Sequence, residues 1–416
     1  MKPVYLRLMA ILLLALGARI AAAVIVGESR VPWSYEYEEI ANNLLTHGEY
    51  AYSFYGLTPS RPTSFLPPVY PLFLAFTRLW TTTGDWLAKA LQIGIACFTV
   101  LGLYALAREL GGSEHQSILA ALLMAVYPPA IAYTVDVTTV TLETFFVIVG
   151  CWLMVRAANR DSYLATFAGG VLLSLATLTR PTWLIVLPIA IVWLVWQCKS
   201  RLPSMFKQVA SALLAAVITF APWIGYNYAT HHMWLLTSTN GGLNFWIGNN
   251  PQATGEYIFP STLDQPMVKR VADWPEVARD QFFYKRGLEF IKSAPGQFLK
   301  LYAEKFLFFV FFRPNIGSNY EQASVPLEVA RWMFVLAWLA LIPFAIFGLF
   351  NLDHYWRRHA LLIAIFVGET VVSALYFVGT RFRTPMDGFA IIWASVGILA
   401  LANKRPKAQP SSGGAR

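Results

Sequence analysis

The stretch Trp33-Ser-Tyr-Glu-Tyr-Glu-Glu-Ile-Ala-Asn-Asn-Leu-Leu follows the first apolar segment of the chain and carries three carboxylates. Its apolar residues recur at i, i+3, i+4, i+7 and i+8, the spacing of one helix face: Tyr37, Ile40, Ala41, Leu44 and Leu45. Such a helix lies on a bilayer surface without crossing it. A carboxylate held at that boundary can act as a base, which points to an enzyme rather than a simple pore.

The helical period sorts these three carboxylates only in part. Glu39 lies opposite the apolar face and is predicted to point to water. Glu36 and Glu38 both flank that face, about 90–110° from its centre, so the period leaves either one as the candidate base.

The composition is that of a polytopic membrane protein. Of the 416 residues, 56% are hydrophobic and only 13% are charged, against about 25% charged in soluble domains. The net charge of +9 is explained by Lys and Arg in short loops between apolar spans. We therefore expect no nucleic-acid partner. The three cysteines and six histidines show no ligand spacing, so neither a disulfide nor a metal site is predicted.

Ten apolar segments are long enough to be membrane spans, since a spanning helix needs about 20 residues. They lie near residues 5–26, 86–107, 116–134, 139–157, 163–179, 181–197, 207–228, 327–350, 360–378 and 386–403. The first is too long for the apolar core of a cleaved signal peptide, so we interpret it as a retained anchor.

The distribution of basic residues places the N-terminus inside and two large segments outside. This parity requires that Phe298–Phe312 does not cross, and as a helix that run is roughly 22 Å long, short of a core of about 30 Å. We predict an all-α bundle in four parts: a membrane module 1–228 with its first outer loop at 27–85, an outer region 229–326 with a surface helix near 298–312, membrane helices 327–403, and a disordered cytoplasmic tail 404–416.

A charged side chain at the end of a span costs free energy in the bilayer, so its presence requires a structural or functional explanation. Arg180 ends one span, and Arg381 and Arg383 lie at the end of another. Either they snorkel at helix ends, or their guanidinium forks clamp a phosphate. Glu143 opens the fourth span, where the helix dipole alone would favour an acid.

The order of short motifs along residues 5–403 resembles that of bacterial GT-C-type membrane glycosyltransferases of glycosyltransferase family 39, relatives of protein O-mannosyltransferases and lipid A aminoarabinose transferases. The motifs are the acidic helix with Ile40-Ala-Asn-Asn-Leu, Pro68-Val-Tyr-Pro-Leu, Tyr127-Pro-Pro, Leu142-Glu-Thr, Leu178-Thr-Arg-Pro, Pro222-Trp, Asn240-Gly-Gly-Leu-Asn, Gly248-Asn-Asn-Pro and Arg381-Phe-Arg-Thr-Pro.

This resemblance implies an inverting transfer of a sugar from a polyprenyl-phosphate donor to an acceptor hydroxyl at the outer face of a bacterial plasma membrane. It favours Glu36 as the base, although many relatives carry an Asp where this chain has Trp33. Glu143 would orient the acceptor or a polar network. The resemblance implies no metal cofactor and assigns the lipid phosphate to four cations: Arg381 and Arg383, with Arg180 and Lys305 as helpers.

Two other interpretations compete with this one. A transporter or lipid flippase would usually show internal repeats and charged groups at the bilayer midplane, and neither pattern is evident here. A glycan ligase or polymerase of another membrane fold is the third interpretation, and the acidic surface helix argues against it. The sequence leaves open both the sugar and the acceptor, which could be a glycan, a lipid or a protein.

Overall fold

A computed structural model of the chain describes residues 3–26, 35–81, 85–311 and 325–403. Trp33 and the predicted tail 404–416 lie outside the described residues. The described residues form seventeen α-helices: α1 (Pro3–Val26), α2 (Tyr35–His47), α3 (Val69–Arg78), α4 (Trp86–Glu109), α5 (Glu114–Val126), α6 (Pro128–Val135), α7 (Val140–Arg160), α8 (Tyr163–Thr177), α9 (Val186–Cys198), α10 (Leu202–His231), α11 (Gly241–Gly248), α12 (Pro260–Val271), α13 (Glu276–Ser293), α14 (Pro295–Phe311), α15 (Val325–Leu349), α16 (Trp356–Leu375) and α17 (Thr380–Asn403).

A helix occupies each of the ten predicted spans. Eight helices of the described chain are long and apolar enough to cross a bilayer, and nine if the bent pair α5–α6 counts as one span. The tenth, α8, is apolar but has only 15 residues. The chain is therefore a multi-pass, all-α membrane protein, as the sequence predicts.

The predicted span 116–134 is broken in the middle. The axes of α5 and α6 differ by 50°, and Tyr127 between them is extended, with φ −70° and ψ 113°. Tyr127 precedes two prolines, and a residue before proline is pushed out of the helical region by the proline ring. The Tyr127-Pro-Pro motif therefore bends this span.

The segments that were predicted to be the two outer loops are folded onto each other at one end of the spans. A short antiparallel hairpin, β1 (Ala51–Tyr52) with β2 (Arg61–Pro62), follows α2. Its aromatic residues share one buried cluster with the end of α10 and with helices α11 to α13. The contact between these two segments forms walls of the cavities described below.

Close packing of α15 against α17 depends on glycine. A Cβ added to Gly397 would lie 2.1 Å from the carbonyl oxygen of Phe344, and one added to Gly348 would lie 1.8 Å from that of Trp393. Neither backbone can accept such a contact without moving. A Cβ at Gly225 in α10 would meet nothing within 4 Å, which makes this position a matched control.

We predict that Gly397→Ala destabilises the protein by about 1–3 kcal/mol, because the added methyl forces the two helices apart. Gly225→Ala should leave stability unchanged or raise it slightly, since alanine is the better helix former. Thermal unfolding of both variants in the same detergent measures the difference. Equal melting temperatures for Gly397→Ala and the unsubstituted protein would contradict the packing described.

Candidate active site

A cavity of about 360 Å³ opens where α2, the loop after α8, α11 and the start of α17 meet. Three of its lining residues carry a formal charge, and they are Glu36, Arg180 and Arg381. The remaining wall is mainly aromatic and uncharged polar, with Tyr55, Tyr257, Tyr284, Tyr376, Phe382, Asn240 and Asn244 among its members. One carboxylate and two guanidinium groups thus face a shared space.

The structure separates the three acids of α2. Glu36 lines the cavity, whereas Glu38 forms an ion pair with Arg78 at 3.2 Å. Oε1 of Glu39 accepts a hydrogen bond of 2.6 Å from the backbone N–H of Ser53. The prediction that Glu39 points to water is wrong, because the hairpin after α2 folds back over that side of the helix.

Glu36 is electrostatically unusual. Burial raises the pKa of this carboxyl group to about 7, and the opposing attraction of the Arg381 guanidinium only partly offsets that effect. A general base is most effective when its pKa lies near the working pH. The environment of Glu36 therefore suits proton transfer near neutrality.

Arg180 is held in the cavity wall by Glu143. Its Nε lies 3.0 Å from Glu143 Oε1, and its Nη2 donates to Thr139 Oγ1 at 2.9 Å. Nη1 has no hydrogen-bond partner among the residues that the structure describes. Arg180 precedes Pro181 and is extended, with φ −147°, so the proline ends the turn after α8 and presents this side chain to the cavity.

Glu143 itself does not reach the cavity. The side chain is fully buried, and Oε2 accepts a hydrogen bond of 3.0 Å from Trp183 Nε1. Its contacts are with Arg180 and Trp183, and it does not line the cavity. Of the two roles that the resemblance implies, the geometry fits the polar network.

Arg381 reaches the cavity from the first turn of α17. Its guanidinium lies 5.1 Å from the ring centroid of Phe382, and that of Arg180 lies 4.5 Å from the same centroid. Both distances are within the range of cation–π attraction. One aromatic ring therefore contacts both cavity cations.

Arg383 and Lys305 are placed elsewhere, so the expectation that they contact a lipid phosphate needs correction. Arg383 is buried, its Nε 3.0 Å from Asp387 Oδ1, and its guanidinium lies 3.8 Å from the Trp338 ring. Lys305 is also buried, and its Nζ donates to the carbonyl oxygens of Gly248 at 3.1 Å and Tyr376 at 2.8 Å. Neither residue lines the cavity.

Several cavity residues were not proposed from the sequence. Asn240 and Asn244 belong to the Asn-Gly-Gly-Leu-Asn motif, to which no role was given, and they line the cavity from α11 and its cap. No sequence pattern singled out the tyrosines of the cavity wall, because aromatic residues are common throughout this chain. Within the described ranges, no group of three or more His, Cys, Asp or Glu side chains could hold a metal ion.

Known proteins similar to this chain share its architecture. Residues 66–226 match the family model described as dolichyl-phosphate-mannose-protein mannosyltransferase. The oligosaccharyltransferase AglB of Archaeoglobus fulgidus, solved with an inhibitory peptide and a dolichol-phosphate, superposes with a TM-score of 0.52 at 13% identity, over 94% of this chain and 50% of AglB. The same enzyme solved with zinc and sulfate gives a TM-score of 0.56 at 14% identity, over 96% and 49%.

The chain has the GT-C fold. The GT-C fold that the resemblance implies is thereby confirmed. This chain spans about half the length of the AglB chains that it matches. A comparison with curated proteins gives no match.

The raised pKa of Glu36 predicts a pH-dependent gain in stability for Glu36→Gln. Between the ordinary pKa of 4.5 and about 7, the folded protein keeps a proton that the unfolded chain has lost. Folding stability due to this group therefore falls as the pH rises through that window and stays low above it. The melting temperature of Glu36→Gln should exceed that of the unsubstituted protein at pH 8 and match it at pH 4.5. A difference independent of pH would contradict the burial of this carboxylate.

Proposed function

We propose that this GT-C protein is a membrane glycosyltransferase that moves a sugar from a polyprenyl-phosphate donor to an acceptor hydroxyl, with inversion at the anomeric carbon. The observation that carries the proposal is the shared cavity, where the partly buried Glu36 faces the same space as Arg180 and Arg381. A base and a separate set of cations are the two requirements of this reaction.

Glu36 is the base in this mechanism. Its ionised carboxylate accepts the proton of the acceptor hydroxyl while that oxygen forms a bond to the anomeric carbon. The bond between the anomeric carbon and the phosphate oxygen breaks on the opposite face, so the configuration inverts. The electron pair of that bond leaves with the polyprenyl phosphate, which requires no added proton.

Arg381 and Arg180 stabilise the leaving phosphate. The charge on its oxygens grows as the glycosidic bond breaks, and guanidinium groups in a cavity wall act where solvent screening is weak. The position of both arginines in the wall of the cavity that Glu36 also lines supports this role. These two arginines replace the pair Arg381 and Arg383 expected from the sequence.

Glu143 is a positioning residue. Its ion pair with Arg180 holds the guanidinium at the cavity edge, while the indole of Trp183 fixes the other carboxylate oxygen. Its charge also offsets one of the two arginines, so the cavity does not carry a large positive charge before the donor binds.

The place of the reaction follows from the topology proposed from the basic loops. The cavity lies at the end of the bundle formed by the two large connecting segments, which the positive-inside rule places outside the cytoplasm. The AglB structure solved with a dolichol-phosphate supports a lipid-linked donor in this fold. We propose a plasma-membrane enzyme whose cavity opens to the cell exterior or periplasm.

Glu36→Gln is expected to reduce sugar transfer about 10²–10⁴-fold, the usual range for loss of a general base. Glu38→Gln is the matched control, because Glu38 lies two residues away and pairs with Arg78 outside the cavity. Its activity should stay within about threefold of the original, as for loss of a partly exposed ion pair. Transfer of a radiolabelled sugar from a polyprenyl-phosphate donor measures both. Full activity of Glu36→Gln would remove this residue as the base.

Arg381→Lys keeps the positive charge but loses the planar fork. We expect kcat/KM for the donor to fall about 10–100-fold, the effect of losing one bidentate phosphate contact worth roughly 1.5–3 kcal/mol. Arg286→Lys is a suitable control, since Arg286 is half-exposed, lies outside the cavity and pairs with the exposed Glu289. An unchanged kcat/KM for Arg381→Lys would exclude a direct phosphate contact.

A further inference from the structure

A second cavity, of about 640 Å³, lies on the other side of the β1–β2 hairpin. Its walls come from this hairpin, the end of α10 and the junction between α12 and α13. Arg61, Pro62 and Gln281 at its edge are exposed, so the cavity opens to solvent. Pockets for small ligands usually measure about 300–1,000 Å³, which gives this cavity room for a short oligosaccharide.

A layer of aromatic rings lies between the two cavities. Tyr55 and Phe65 line the first cavity, while Tyr52 and Phe54 line the second. The ring centroids of Phe54 and Tyr55 are 5.0 Å apart, and those of Tyr52 and Phe65 are 5.1 Å apart. A ligand in the second cavity would therefore lie one ring layer away from the space that Glu36 faces.

The hairpin that carries this layer has an uncommon backbone. Tyr55 has a φ of +52°, in the left-handed region that residues other than glycine, asparagine and aspartate rarely adopt. Gly56, with a φ of +69°, follows it. This turn directs adjacent rings to opposite sides of the layer, and such conformations concentrate at functional sites.

A hydrogen-bonded carboxylate joins the floor of the second cavity to the wall of the first. Glu276 lines the second cavity and accepts hydrogen bonds from the backbone N–H of Ser64 at 2.8 Å, from Thr63 Oγ1 at 2.7 Å and from Thr239 Oγ1. Ser64 precedes Phe65 of the ring layer, and Thr239 precedes Asn240 of the first cavity. The two sites are thus joined by one hydrogen-bond network.

The chemistry of the second cavity suits a neutral, hydroxyl-rich molecule. The indole of Trp274 is 40% exposed and offers an aromatic face. Both lining arginines are already occupied: Arg61 by Asp273 at 3.3 Å, and Arg279 by the carbonyl oxygen of Ala272 at 2.7 Å and by the Phe54 ring. Because both guanidinium groups already have partners, neither favours an anionic ligand. A sugar ring presents C–H groups to an aromatic face and hydroxyls to the polar groups around it.

We propose that the second cavity binds carbohydrate, namely the sugar units of the acceptor next to the hydroxyl that is glycosylated. This inference rests on the proposed function and extends it by naming a glycan as the acceptor class. Trp274 stacks on a sugar ring, and Gln281 and Thr58 bind its hydroxyls. In this proposal the terminal sugar extends past the edge of the ring layer into the cavity that Glu36 faces, while the rest of the acceptor stays in the second cavity.

Equilibrium binding of fluorescently labelled linear tetrasaccharides of glucose, mannose, galactose and N-acetylglucosamine to the purified full chain in nanodiscs tests the proposal. At least one tetrasaccharide should bind, and Trp274→Ala should weaken it about tenfold, the loss expected for one aromatic contact. Trp274→Phe, which keeps an aromatic face, should restore most of the affinity. Gln281→Ala, at an exposed position, should also weaken binding without endangering the fold.

Trp80→Ala is the matched control, because Trp80 is 72% exposed and lines neither cavity. Binding that is unaffected by both Trp274→Ala and Gln281→Ala, or the absence of any tetrasaccharide binding, would overturn the proposal. Binding of a peptide of matched length in place of the sugars would also overturn it.

The Glu36→Gln variant separates this inference from the proposed function. It should bind the tetrasaccharide as tightly as the original protein, because Glu36 lies in the other cavity. If sugar transfer depends on Glu36 but glycan binding does not depend on Trp274, the proposed function is supported and the second site is rejected. Trp274-dependent binding in a protein whose transfer does not need Glu36 supports the second site and rejects the proposed base.

Discussion

The ion pair between Arg180 and Glu143 determines how the charged cavity is built. The two atoms in contact are 3.0 Å apart, and Glu143 is fully buried. Because a charge placed in a low-dielectric interior is costly unless it is paired and hydrogen-bonded, Arg180 can stand at the cavity edge only with this partner. The pair joins α7 to the turn after α8, and the Arg180 guanidinium contacts Phe382 of α17. Removing Glu143 would therefore disturb three elements and the second cavity cation, Arg381.

The same cost of an unpaired buried charge distinguishes the three acidic residues of α2 from one another. Glu38 and Glu39 have partners outside the cavity, Arg78 and the backbone of Ser53. Glu36 instead faces a largely aromatic wall, and its pKa is raised to about 7. The arrangement leaves one carboxylate that gains and loses a proton near neutral pH, which is the property a base needs. The protein loses some stability in return for that reactivity.

The membrane helices could be predicted from the sequence because a long apolar segment has few alternatives to a spanning helix. The two prolines after Tyr127 indicate the break in the sequence. The length of the apolar segment alone does not reveal it. The sequence also contained a sign that Arg381 and Arg383 would point to different places. Residues two apart on a helix point about 200° away from each other, so one cavity could not take both, and Asp387 lies one turn after Arg383 to receive it. By contrast, the contacts of Glu39 and Lys305 with distant backbone groups depend on tertiary folding and left no local pattern.

The pH dependence of kcat/KM for sugar transfer tests the central claim most directly. With a polyprenyl-phosphate donor and the purified protein in nanodiscs, kcat/KM should rise tenfold per pH unit below about 7 and level off above it, as Glu36 loses its proton. The residual activity of Glu36→Gln should lack this step. A profile with the same step in both proteins would show that another group supplies the base.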